Sequence, residues 1–105
     1  MNEIAVEELK RRDDAGEALM LLDVREEDEL RAAAIPWATW IPMNEVPNRT
    51  AELPRDTPIV VMCHGGVRSA HVARFLEEMG FTNAVNLAGG IDAWSARIDP
   101  SVPRY

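Results

Sequence analysis

The feature that most constrains this chain is Pro58-Ile59-Val60-Val61-Met62, an aliphatic run without the polar alternation of a strand that has one wet face. It is too short for a helix. It reads instead as a strand buried on both faces, the setting found at the centre of a parallel sheet. The run delivers Cys63 at its carboxyl end, and Gly65, Gly66, Arg68 and Ser69 follow directly. Val72, Phe75, Leu76 and Met79 then recur at helical spacing, with His71, Arg74, Glu77 and Glu78 on the other face and Gly80 closing the helix. Ser69 is expected to cap this helix at its N-terminus.

The same alternation of strand and helix runs along the chain. Residues 6–14 carry Val6 and Leu9 in an otherwise polar stretch, a short amphipathic helix with Gly16 as its stop. Met20, Leu21 and Leu22 form a second compact apolar run, ending in Asp23. Residues 26–34 combine helix formers with acids in the first turn, which complement the macrodipole, and Ile35-Pro36 ends them. Pro42, Pro47, Pro54 and Pro58 punctuate the next stretch, where a strand is expected only over residues 38–41 and short helical turns around Asn44 and Thr50. Residues 84–87 read as a last strand, Gly89-Gly90 as a turn, residues 91–97 as a helix whose Trp94 packs into the core, and residues 98–105 as an irregular tail. Elements in this order imply one three-layer α/β domain over residues 1–105 with a mostly parallel sheet. In such folds sites form outside the carboxyl ends of the strands, which is where Cys63 lies.

Charge and cysteine content exclude several function classes. Eighteen acidic against eleven basic residues give a net charge of −7, which repels phosphodiester backbones and anionic headgroups, so neither nucleic acid nor a membrane is expected as a partner. A single cysteine forms no internal disulfide and fits a reducing compartment. The opening MNEIAVEELKRR has acids where a secretory leader needs a basic segment and an apolar core, so a soluble cytoplasmic protein is the expectation. One cysteine and two histidines make no zinc set, and neither a metal nor a cofactor is expected.

Between a strand end and a helix start, successive backbone N–H groups can line one concavity, and glycines at 65 and 66 permit the positive φ angles such a nest needs. Cys63 would sit at its centre, over the positive end of the helix macrodipole and near Arg68, which favours thiolate over thiol. Ionisation alone explains little. Lowering a thiol pKa from about 8.5 to about 6.5 raises the thiolate fraction about twenty-five-fold at neutral pH, while intrinsic nucleophilicity falls nearly tenfold, for a net gain of about threefold. The larger benefit is stabilisation of negative charge that appears during reaction, where one preorganised donor contributes roughly 3–4 kcal/mol.

LLDVREEDEL, AIPWATWIP and VVMCHGGVRSAHVARFLEEMGFTNAVNLAGGIDAW together resemble the single-domain rhodaneses, sulfurtransferases that carry sulfur on a cysteine persulfide. The resemblance spans nearly the whole chain. Its most specific parts are Asp23-Val24-Arg25-Glu26, the loop from Cys63 to Ser69, and the strand, Gly89-Gly90 and Trp94 near the end. It implies a five-stranded, mostly parallel sheet flanked by helices, with Cys63 taking sulfane sulfur from a donor such as thiosulfate and passing it to cyanide, a thiol or a protein acceptor. The implied mechanism is double displacement: the Cys63 thiolate attacks the outer sulfur, sulfite leaves, and the acceptor removes the terminal sulfur of the persulfide. His64, Gly65, Gly66, Val67 and Arg68 would cradle the persulfide through their N–H groups, with the Arg68 guanidinium available to a sulfonate or sulfite oxygen. Without a second cysteine, the acceptor comes from outside the chain. The family usually has His-Ile-Pro-Gly where this chain has Ala34-Ile35-Pro36-Trp37.

Two other readings stand beside this one. The fold can serve as a catalytically idle docking or sensing module. A cysteine-dependent phosphatase or arsenate reductase has a related architecture, but its loop places five residues between Cys and Arg, and here there are four. Among the remaining candidates, Asp23 and Arg25 read as an ion pair that organises the sheet edge near the loop. The acids at 26 to 29 read as a solvated helix start, His71 as an exposed residue, and His64 as a contributor mainly through its backbone. Trp37 and Trp40 fit the core and the rim of a pocket equally well.

Overall fold

The computed structural model describes residues 2–105. The chain runs β1 (Asn2–Ile4), α1 (Val6–Asp14), β2 (Met20–Asp23), α2 (Glu27–Ala32), β3 (Thr39–Trp40), two 3-10 turns (Met43–Asn48 and Thr50–Glu52), β4 (Ile59–Met62), α3 (Val67–Glu78), β5 (Ala84–Leu87) and α4 (Gly90–Arg97). The five strands form one sheet in the order β1-β5-β4-β2-β3, and every neighbouring pair is parallel.

Strand β4 shows why its sequence lacks polar positions. Successive side chains point to opposite faces, and both faces are covered. Ile59, Val61 and Cys63 join one apolar cluster with Leu22, Val24, Val72, Ala73, Leu76 and Phe81. Val60 and Met62 join the other, with Val6, Leu9, Leu21, Leu87, Ile91 and Trp94. The alternation that buries Ile59 and Val61 beside α3 therefore also aims Cys63 toward that helix.

Strand order fixes where a site can form. From β2 the chain moves outward to β3, whereas from β4 it moves the other way to β5. The segments leaving the adjacent carboxyl ends of β2 and β4 thus diverge and open a crevice, the position at which open parallel sheets bind ligands. Asp23 is level with Met62 across that pair. The residues that follow them, Val24-Arg25 and Cys63-His64, flank the crevice.

Several elements differ from what periodicity predicts. Strand β1 is only three residues long, largely exposed, and exists through its pairing with β5 rather than through any pattern of its own. Helix α2 is shorter than expected: Glu26 caps it, and Ala33 is extended and buried. Met79 does not complete the buried face of α3; it is 53% exposed, and Ala73 is buried in full. The tail has no regular structure but is held down, with Val102 buried, the Ser95 hydroxyl donating to the Pro103 carbonyl, and Arg104 forking onto Asp92. Trp94 is buried as expected, Trp37 stands exposed and edge-on to it, and the Trp40 indole N–H donates to the Arg25 carbonyl at 2.8 Å.

Candidate functional site

The loop after β4 is shaped by what holds its carbonyls. The Cys63 carbonyl accepts the Ile91 N–H at 3.0 Å and the His64 carbonyl accepts the Asp92 N–H at 3.0 Å, so the first turn of α4 grips both peptides. A trans peptide points its N–H opposite its carbonyl. The amides of His64 and Gly65 therefore face away from α4. This grip requires close approach: a Cβ on Gly90 would lie 2.4 Å from the Cys63 oxygen and 2.5 Å from the His64 oxygen, and Gly90 has φ 57. The glycine pair of the sequence is thus the seat of the cysteine loop, a role beyond that of a turn.

Gly66 closes the loop. With φ 108 it occupies the N-cap of α3, its carbonyl accepts the Asn86 amide at 3.1 Å, and its own N–H donates to Cys63 Sγ at 3.1 Å. Because this left-handed turn starts the helix at Val67, Ser69 is not the cap that its residue type predicts. It lies within the first turn, fully buried, and its hydroxyl donates to Cys63 Sγ at 3.3 Å. The first N–H groups of a helix have no partner inside it, and here the Ser69 amide joins that of Gly66 in donating to the thiol.

The thiol itself is 1% exposed. Burial pushes Cys63 up, but the Ser69 hydroxyl and amide, the Gly66 amide and the charge of Arg68 outweigh it, and the thiol lies below its ordinary range. The loop therefore favours a sulfur anion in a nearly dry place. Of the expected cradle, His64, Gly65, Gly66, Val67 and Arg68 are brought into one turn around Cys63, and direct contact with Sγ is made by Gly66 and Ser69. Gly65 and Val67 face solvent.

Arg68 is not free. Its two terminal nitrogens donate to Glu29 at 2.7 and 2.9 Å, a bidentate fork in place of the unengaged guanidinium expected from the sequence. Glu29 in turn is not a solvated acid. Its carboxylate also accepts the Glu26 N–H at 3.0 Å, as part of the capping box of α2, and the Tyr105 hydroxyl at 2.8 Å. Four donors fill the acceptor capacity of one carboxylate, and Arg68 foremost among them holds Glu29 down from 4.5 to about 2.

Asp23 and Arg25 form the expected ion pair, buried on both sides, with Arg25 donating to the two carboxylate oxygens at 2.9 and 2.7 Å. The remaining Arg25 nitrogen donates to the Glu29 carbonyl at 3.3 Å and to the Tyr105 hydroxyl at 3.0 Å. The Tyr105 ring lies 4.3 Å from the His64 ring. The tail thus ends against the residue next to the thiol, and its hydroxyl ties the two ion pairs together.

Glu29, Asn86 and Tyr105, and the packing of Gly90 against the loop, are features of the site that sequence reasoning missed. Only Glu29 left a local signal, an acid three residues after the cap, masked because the cap is Glu26 instead of Ser or Thr. Among the described residues no three His, Cys, Asp or Glu side chains converge as a metal set would, and no helix is long and apolar enough to cross a membrane. An apolar hollow between Met43, Val46, Pro47, His71, Val72 and Phe75 includes no residue of the loop.

A parallel five-stranded sheet that presents one cysteine in a glycine-rich turn at a helix N-terminus is the architecture of a class of α/β domains, and comparison with known proteins identifies that class. Residues 5–97 match the Rhodanese-like domain family, and the chain belongs to that family. It is 37% identical over 95 residues to a protein named Sulfurtransferase from Allochromatium vinosum, covering 90% of this chain and 89% of that one. Its structure resembles a rhodanese-related protein from Thermoplasma volcanium at a TM-score of 0.86 and 32% identity, covering all of both chains. It also resembles part of a NAD-dependent persulfide reductase from A. fulgidus, at a TM-score of 0.70 and 36% identity, covering 90% of this chain and 16% of that one.

Proposed function

We propose that this chain is a sulfurtransferase that accepts sulfane sulfur on Cys63 as a persulfide and releases it to an external thiophile. The observation that carries the reading is the pair of donors on Cys63 Sγ, the Gly66 N–H at 3.1 Å and the Ser69 hydroxyl at 3.3 Å, at the N-terminus of α3. A persulfide keeps the negative charge of the thiolate and moves it one atom outward, still at the positive end of the α3 macrodipole. In the loading step the Cys63 thiolate attacks the outer sulfur of thiosulfate, the S–S bond of the donor breaks, and sulfite leaves with the bonding pair. In the second step cyanide or a thiolate attacks the terminal sulfur, and Cys63 recovers its thiolate. The names of its relatives support sulfur transfer in general. Thiosulfate and cyanide are the simplest probes of it.

The four-residue spacing between Cys63 and Arg68, and the fork that occupies Arg68, argue against a phosphatase, whose arginine must embrace a phosphate. One observation favours a docking module instead: the thiol is 1% exposed. Intact mass after treatment of the reduced protein with thiosulfate or an alkyl persulfide separates the two readings. A gain of one sulfur atom, removed by cyanide and absent in Cys63→Ser, is expected; no gain at any concentration of thiosulfate or of an alkyl persulfide would leave the docking module as the function.

A further inference from the structure

We propose that Glu29 is a positioning residue that sets the class of sulfur donor: by holding the Arg68 guanidinium it leaves the mouth of the site electrically neutral and favours donors whose trailing end is uncharged, such as organic persulfides. The inference rests on Cys63 carrying sulfane sulfur. Arg68 is the cation whose charge reaches Cys63, so it is the natural partner for a sulfonate behind the transferred sulfur. Both of its terminal nitrogens are already on Glu29, and Glu29 is locked by Glu26 and Tyr105 as well. The other cations nearby are also matched: Arg25 by buried Asp23, and Arg104 by Asp92. A dianion approaching the thiol meets no unmatched positive charge among these groups, on a chain whose net charge is −7.

An organic persulfide avoids the conflict. The Cys63 thiolate attacks the terminal sulfur of R–S–SH, the S–S bond of the donor breaks, and R–S⁻ leaves while Cys63 holds S–SH. The donor brings no charge, and the charge of the Cys63 thiolate leaves on R–S⁻. The side chain R needs no cation, and the rim against which it would lie contains the Tyr105 and His64 rings.

Two donors that differ only in trailing charge test the idea: thiosulfate, which releases sulfite, and methanethiosulfonate, which releases methanesulfinate and carries one charge fewer. Loading is followed by intact mass and by the KM of each donor with cyanide as acceptor. Glu29→Gln keeps the shape of the cap and frees Arg68, so KM for thiosulfate is expected to fall about tenfold more than KM for methanethiosulfonate, as one uncompensated charge at close range in partly hydrated surroundings would produce. Adding Arg68→Gln to that variant should restore the wild-type ratio. Arg68→Gln alone, which leaves the Glu29 charge unmatched, should move the ratio the opposite way and serves where Glu29→Gln does not fold. A donor ratio unchanged within twofold in these variants overturns the role of Glu29 while leaving sulfur transfer intact. Failure of the wild-type protein to load from either donor or from an alkyl persulfide would instead defeat the sulfurtransferase reading, and this inference with it.

Discussion

Gly90 and Cys63 are in contact through main-chain atoms alone: the space a Cβ would need at Gly90 is filled by the Cys63 carbonyl oxygen, 2.4 Å away. The neighbouring Ile91 N–H holds that same oxygen at 3.0 Å. Helix α4 and the cysteine loop are therefore one unit, although 27 residues separate them in sequence.

Gly90→Ala should consequently damage stability and chemistry together. The new methyl meets two carbonyls on a backbone with φ 57, which L side chains rarely adopt. Clash and backbone strain combined should cost about 2–4 kcal/mol, read as a lowered urea midpoint with unchanged slope. Sulfur loading at Cys63 should fall in the protein that remains folded. An alanine variant with wild-type midpoint and wild-type loading would show that the loop does not depend on this contact.

Ser69→Ala removes the hydroxyl from Cys63 Sγ without disturbing α3, whose backbone bonds do not involve it. In the native protein the Ser69 and Gly66 donors more than offset burial and hold the thiol below 9.0. The sign follows: Cys63 adds stability that is present above its ordinary pKa and is lost as pH falls through the depressed folded value. Without the hydroxyl that folded value rises, so the midpoint of alkylation rate against pH should move upward, because a hydrogen bond to the charged form has been lost. An unmoved midpoint would mean that the hydroxyl does not act on the thiolate.

What was legible in the sequence divides by the range of the interaction. Ile59 to Met62 announce a doubly covered strand because burial on both faces removes every polar position, and that strand alone places Cys63 at the sheet edge. Strand β1 announces nothing, since three mostly exposed residues become a strand only when β5 supplies the partner. Ser69 misled because capping preference is a property of residue type, whereas the start of α3 is set by Gly66, which can turn where no other residue would. Glu29 and Tyr105 were hidden for another reason: 76 residues separate them, and nothing local marks an acid or a tyrosine for a partner that the fold brings in from the far end.

Asp23→Asn tests the ion pair behind the site. Arg25 is fully buried, and its two bonds to Asp23 are the charged ones. Neutralising the carboxylate leaves a dry guanidinium without a counter-charge, a loss of about 3–5 kcal/mol in comparable cases. The Tyr105 hydroxyl and the Glu29 carbonyl remain to it, so the lower end of that range is expected. Because the pair is excluded from solvent, the wild-type contribution should persist in high salt, unlike that of the exposed pairs on α1. A loss below about 0.5 kcal/mol in urea titration would place the pair among ordinary surface contacts.

Tyr105 faces the other side of the question, access to a thiol that is 1% exposed. Its ring rests against His64, and its hydroxyl is pinned between Arg25 and Glu29. A donor reaching Cys63 must displace what covers it, and the Tyr105 ring is a movable part of that cover, because it is partly wet and lies three residues beyond buried Val102. Tyr105→Ala should therefore speed alkylation of Cys63 severalfold while shifting the thermal midpoint by only a few degrees, about what one or two lost contacts produce in a domain of this size. Tyr105→Phe keeps the ring and loses the pin, and should lie between the two. Equal alkylation rates in wild type and Tyr105→Ala would show that the path to the thiol runs elsewhere, through the loop itself.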